Sequence, residues 1–137
     1  MANFYAGRGL EGFAAHYLKR AGAEVDHAML FRQYLLDSGQ NILLLPLDAP
    51  SSVHDDFELL LKEAHKHEKF MTASIHNIYD AALNAKDYRS VEFLNRLVKD
   101  QGTNEKEAAA LIKKYELFAG DGQGLYRLDR ELALGQN

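Results

Sequence analysis

The chain has 137 residues, 47% of them hydrophobic and 26% charged, with a net charge of -4 at neutral pH. That size suits a single domain spanning residues 1–137, and the composition excludes a disordered or fibrous protein. Lysine and arginine are interspersed with acidic residues, so no basic stripe is offered to nucleic acid; the lack of cysteine excludes disulfides, zinc-thiolate sites and cysteine catalysis. The longest apolar run, Ile42 to Leu45, is too short to span a bilayer. The expectation is a soluble cytoplasmic protein with no membrane partner.

In chain order the pattern predicts helix, crossover, helix, tight turn, helix, break and short helix, an all-α fold. The first long helix runs from about Leu10 to Leu36 and stops near Ser38-Gly39, where the glycine suits a left-handed cap. Between Ser38 and Ser52 stand both prolines, Pro46 and Pro50, which cannot continue a helix. Ile42, Leu43, Leu44, Leu45 and Leu47 are too apolar for a solvated loop, so this segment is expected to cross the bundle and bury them. Ser51 or Ser52 is expected to cap the second helix, with Asp55 and Asp56 in its first turn at the positive dipole end. That helix ends near Asn84, and Asp87 caps the third after a short turn, which makes the two antiparallel neighbours. The cluster from Gly120 to Gly124 closes the third helix, and Leu125, Leu128 and Leu132 mark a last short amphipathic helix.

Each long helix carries an apolar stripe in three- and four-residue steps that is interrupted near its middle. On the first, Phe13, Tyr17, Ala21, Glu24, Ala28, Phe31 and Leu35 include one charged residue, Glu24. On the second, Phe57, Leu61, Ala64, Glu68, Met71, Ile75, Ile78 and Ala82 include Glu68. On the third, Val91, Leu94 and Val98 lead to Gln101 and Asn104 before Ala108, Ile112 and Tyr115. A carboxylate in a core costs several kcal/mol unless paired, so polar groups at matching depth on three helices point to one shared polar centre. The spacing Glu24-Val25-Asp26-His27 is the Glu-x-x-His element of carboxylate-bridged di-iron bundles, an oxygen and a nitrogen ligand on one helix face. The plainer reading pairs Glu24 with Arg20 one turn earlier and Glu68 with Lys69 or Lys99, leaving Gln101 and Asn104 as ordinary interhelical hydrogen bonders. His65 and His67 lie two residues apart and point in different directions. His16, His54 and His76 read as surface or edge residues without a partner at metal-ligand spacing, and no strand precedes the glycines at Gly7 and Gly9 as a phosphate-binding loop would need.

The chain resembles the bacterial non-haem ferritins. The resemblance rests on Gly9-Leu-Glu-Gly-Phe13, Glu24-Val-Asp-His-Ala28, Pro46-Leu-Asp-Ala-Pro50, His67-Glu68 with Ser74-Ile-His-Asn77, Lys86-Asp87 with Phe93-Leu94, Asp100-Gln101, and Gly120-Asp-Gly-Gln-Gly-Leu125 followed by Leu128-Asp-Arg-Glu-Leu132. The likeness implies a ferritin-like four-helix bundle with a long crossover and a short C-terminal helix, assembled as a homo-oligomeric cage. It implies that iron is oxidised at a di-iron ferroxidase centre and stored as ferric mineral. By position, Glu24 would bridge both irons, His27 would ligate one, Glu68 the other, and Gln101 would stand beside the site. Haem is not implied, since Val25 stands where haem-binding relatives place a methionine. Two departures accompany the match. The family's first helix, with its glutamate ligand, is largely missing ahead of Gly9, and Met1 to Ala6 would match only its last turns. Asn104 stands where the family usually has a second-iron glutamate, while Ala23 and Thr103 replace carboxylates of an accessory iron. Retention of Glu24, His27 and Glu68 favours a ferroxidase; Asn104 and the absent helix favour a non-catalytic iron-binding or structural subunit.

Overall fold

In a computed structural model the residues described are 1–49, 56–119 and 122–135. They form five α-helices and no strand: α1 (Ala2–Ala6), α2 (Glu11–Asp37), α3 (Phe57–Asn84), α4 (Tyr88–Phe118) and α5 (Gly122–Leu134). The all-helical architecture is the one the apolar periodicity predicts. No described helix is long and apolar enough to cross a membrane. The chain divides into two compact units, Met1–Asp55 with Leu125–Asn137, and Asp56–Gly124.

The first unit is built on aromatic stacking and a borrowed helix cap. Tyr5 is fully buried, with its ring stacked on Phe13 at 5.0 Å and on Tyr17 at 5.4 Å. Gly9, at φ +74°, turns the chain out of α1, and the Leu10 N–H then reaches back to the Tyr5 carbonyl. The N-cap of α2 is Leu10, whose side chain cannot accept a hydrogen bond. The missing acceptor comes from α5: the buried Asp129 carboxylate takes the Phe13 N–H at 2.9 Å, satisfying one of the four orphan donors of the first turn. A side chain at Gly12 would not permit this approach, since a Cβ there would lie 1.8 Å from the Asp129 carbonyl oxygen. At the other end Gly39 takes φ +71° and the Gln40 N–H bonds the Leu35 carbonyl, the left-handed closure expected of that glycine.

Two expectations about this unit fail. The α2 stripe is deeply buried only at Phe13; Tyr17, Glu24 and Phe31 are half-buried, and Ala21, Ala28 and Leu35 are exposed. The crossover does not bury its leucines either: Leu43, Leu44, Leu45 and Leu47 are 71–96% exposed. Residues 40–49 form neither helix nor strand, and among the described residues no surface covers these side chains.

The second unit is an antiparallel helix pair. Asp56, rather than a serine, is the cap of α3, accepting from the Glu58 and Leu59 N–H groups; Ser51 and Ser52 lie outside the described residues. Asp87 caps α4 as expected, accepting the Ser90 N–H at 3.1 Å and the Ser90 hydroxyl. Between them Lys86 stands at φ +57°, with Asp87 N–H bonded to the Ala82 carbonyl and Lys86 N–H to Leu83. This is a Schellman closure with lysine in the place glycine favours. Buried α3 residues Leu61, Glu68, Ile75 and Ala82 recur every seven positions, and α4 answers with Leu94, Leu97, Gln101 and Leu111, a coiled-coil-like seam. Sequence periodicity placed Val98 and Ile112 on this face but passed over Leu97 and Leu111. Burying each leucine or isoleucine of the seam contributes roughly 1.5–3 kcal/mol, so a glutamate and a glutamine at its centre forgo stability that apolar residues would supply. The glycine cluster predicted to end this region begins at Gly120 and Asp121, which lie outside the described residues; α4 ends at Phe118, with Ala119 as its C-cap.

Candidate metal centre

In the first unit, Glu24 and His27 sit one turn apart on α2, with Oε2 of Glu24 3.7 Å from Nδ1 of His27. Oε1 of the same carboxylate is 3.8 Å from the Arg20 guanidinium. The plain ion pair and the carboxylate–imidazole pair therefore coexist, one on each oxygen. Both side chains keep partial access to solvent, 34% for Glu24 and 22% for His27.

In the second unit, Glu68 on α3 is buried, and Gln101 crosses from α4 to meet it. The Gln101 amide nitrogen donates at 2.8 Å to the Glu68 carboxylate and at 2.9 Å to the Glu68 main-chain carbonyl. With both amide hydrogens spent on one residue, the carboxylate is held in a single orientation without gaining a positive charge from this partner. Thr72 adds to the network: its hydroxyl lies 3.0 Å from the same carbonyl and 2.8 Å from the Glu105 carboxylate. With one hydrogen it donates to one of them at a time. Asn104, one turn after Gln101, is half-buried. Thr72 and Glu105 were not singled out by sequence, because neither belongs to an apolar stripe and their link joins residues 33 positions apart.

Glu24 thus meets His27, and Glu68 meets Gln101. Among the described residues no three His, Asp or Glu side chains form a group that could hold a metal ion. The donor chemistry nevertheless suits iron: carboxylate oxygen and imidazole nitrogen are the ligands it prefers, and the amides of Gln101 and Asn104 are neutral oxygen donors of lower strength.

Residues 1–118 match the family model of the ferritin-like domain. The chain is 32% identical over 123 residues to the bacterial non-heme ferritin of Escherichia coli O6:H1, covering 90% of this chain and 74% of that protein. It is 28% identical to the bacterial non-heme ferritin of Campylobacter jejuni, over 88% of this chain and 72% of the relative. Among solved structures, an open pore ferritin from the hyperthermophilic archaeon Archaeoglobus fulgidus matches with a TM-score of 0.93 at 28% identity, over 98% of this chain and 83% of that one. The helices, the family match and these likenesses agree, and the chain belongs to the ferritin-like family.

Proposed function

We propose that this chain is a cytoplasmic iron-storage subunit, with residues 1–137 acting as one domain, which oxidises Fe(II) at a dinuclear centre and helps to enclose the ferric product in a homo-oligomeric cage. Glu24 would bridge the two irons, His27 would ligate one and Glu68 the other, with Gln101 and Asn104 as weak neutral neighbours. The observation that carries this reading is the buried Glu68 carboxylate fixed by Gln101 in the middle of an otherwise apolar seam. An acid kept there at the expense of packing is explained by a cation it receives. In the oxidation, each of two Fe(II) ions gives up one electron; dioxygen accepts both with two protons and leaves as hydrogen peroxide. With peroxide as oxidant the same two electrons split its O–O bond, and two more protons complete two waters.

The exposed apolar surface supports assembly. Leu18, Val25, Met29 and Leu36 form a second stripe along α2, all more than 40% exposed, and Leu43 to Leu45 add to it. So much apolar side chain in water is unusual on a monomer, and contact with other copies would cover it.

Anaerobic titration of the apo-protein with Fe(II) tests the centre. Glu24→Ala and His27→Ala should each lose most of the tight binding, and equal binding in all three proteins would overturn the assignment. A second reading, a subunit that binds iron without oxidising it, is favoured by the neutral Gln101 and Asn104, which offset little of the charge of two Fe(II) ions. Aerobic stopped-flow oxidation separates the two: no faster Fe(III) appearance with the protein than with buffer would select the non-catalytic subunit.

A further inference from the structure

The second unit holds an open groove that the proposed iron centre does not use. It has a volume of about 210 Å³ and is lined by His76, Tyr79 and Asp80 of α3 and by Asn95 and Val98 of α4. In sequence His76 reads as a lone surface residue, but Asp80 follows it by four positions. On one helix face that spacing sets Cβ atoms about 5–6 Å apart, and helical zinc motifs use the same spacing to bring two ligands to one ion.

Asn95 faces this pair from the opposite helix. Its Oδ1 accepts from the Tyr79 hydroxyl at 3.1 Å, and its amide nitrogen donates to Glu92 at 3.1 Å. The two bonds fix which end of the amide faces Tyr79 and leave Oδ1 a second lone pair. The groove is therefore edged by an exposed imidazole, an exposed carboxylate and an exposed amide whose oxygen is oriented by Tyr79, with no lysine or arginine among its lining residues. A mixed nitrogen and oxygen set of this kind suits borderline divalent ions rather than calcium or magnesium, which favour oxygen alone.

We propose that His76, Asp80 and Asn95 form a second metal site, which takes a divalent transition-metal ion such as Zn(II) by the His76 imidazole, the Asp80 carboxylate and the Asn95 amide oxygen, with water completing the coordination. Tyr79 is a positioning residue that holds Asn95 toward the ion. Because the site shares no residue with the proposed iron centre, it stands or falls independently of that reading.

Zn(II), which has no redox chemistry, is the probe. In a Glu24→Ala/Glu68→Ala background, calorimetric titration should show one Zn(II) per chain; adding His76→Ala or Asp80→Ala should abolish it, and Tyr79→Phe should weaken it roughly tenfold, as loss of an orienting partner does at other metal sites. Zinc anomalous diffraction from soaked crystals of the unsubstituted protein gives a reading that does not depend on those variants folding, and a peak between His76 and Asp80 is expected. An empty groove in that map, or Zn(II) retention unchanged by His76→Ala and Asp80→Ala, would overturn the proposal.

Discussion

Replacing Gly12 by alanine should loosen the C-terminal helix from the start of α2. The new Cβ would stand 1.8 Å from the Asp129 carbonyl oxygen and 2.8 Å from its carbonyl carbon, whereas ordinary contact begins at 3.4 Å. The obstacle is backbone on a helix, so it cannot rotate aside, and α5 must retreat by about 1.6 Å from this contact. A shift of that size also stretches the 2.9 Å bond between the Phe13 N–H and the Asp129 carboxylate beyond hydrogen-bonding range. Overpacking of this kind costs about 1–3 kcal/mol, and a buried N–H left without its acceptor costs about 1–3 kcal/mol. Because the two share one displacement they do not add fully, and about 2–4 kcal/mol is the expected loss. Urea unfolding followed by circular dichroism, at matched protein concentration because assembly contributes to stability, reads this directly. Gly22→Ala is the control: nothing lies within 4 Å of its Cβ, so removing a glycine from a helix interior should stabilise by roughly 0.5–1 kcal/mol. Equal midpoints for Gly12→Ala and wild type would refute the close-packing argument.

Asn104→Glu should accelerate aerobic Fe(II) oxidation several-fold by adding an anionic ligand, checked by stopped-flow absorbance of the ferric product; an unchanged rate would remove Asn104 from the centre. Lys86→Gly should stabilise the α3–α4 pair by roughly 0.5–1 kcal/mol, because it relieves a left-handed residue of its Cβ, and an unchanged thermal midpoint would contradict this. The hydroxyl of Ser90, and next its N–H, hold the Asp87 carboxyl below its ordinary value of 3.8. A carboxyl lowered in the folded state contributes stability that is present above the unfolded value and lost as pH falls through the folded one. Ser90→Ala should therefore flatten the fall in urea midpoint below about pH 3.8, and an unchanged slope would argue against the cap. Leu43→Lys with Leu45→Lys should shift sedimentation toward smaller species if other copies cover the crossover; an identical profile would show that they do not.

Helix type and order were legible because three- and four-residue apolar steps are local, and the caps at Gly39 and Asp87 rest on residues beside the helices they close. Leu97 and Leu111 escaped because the seam follows a heptad set by the partner helix, a choice one helix's own stripe does not reveal. The crossover misled for another reason: apolar composition demands cover, but it does not say whether the cover comes from the same chain. In the candidate centre, Glu24 and His27 were readable as a pair since both stand on one turn. Gln101 was legible as a polar interruption, whereas its double bond to Glu68 depends on helix register and emerges only in three dimensions. The capping role of Asp129 was not legible, because an aspartate after a leucine on a short amphipathic helix looks like an ordinary solvated face.

The cap that Asp129 lends to α2 spans 116 positions of sequence, and this sets an order of events during synthesis. The α3–α4 pair, closed by a turn of three residues, depends on local contacts and can form as soon as both helices have left the ribosome. The opening turn of α2 emerges earlier, yet its Phe13 N–H must wait in water until Asp129, 116 positions later, has been made. Closing so long a loop is slow compared with pairing adjacent helices. The clasp between Phe13 and Asp129 is therefore expected to form later than the local contacts of the α3–α4 turn.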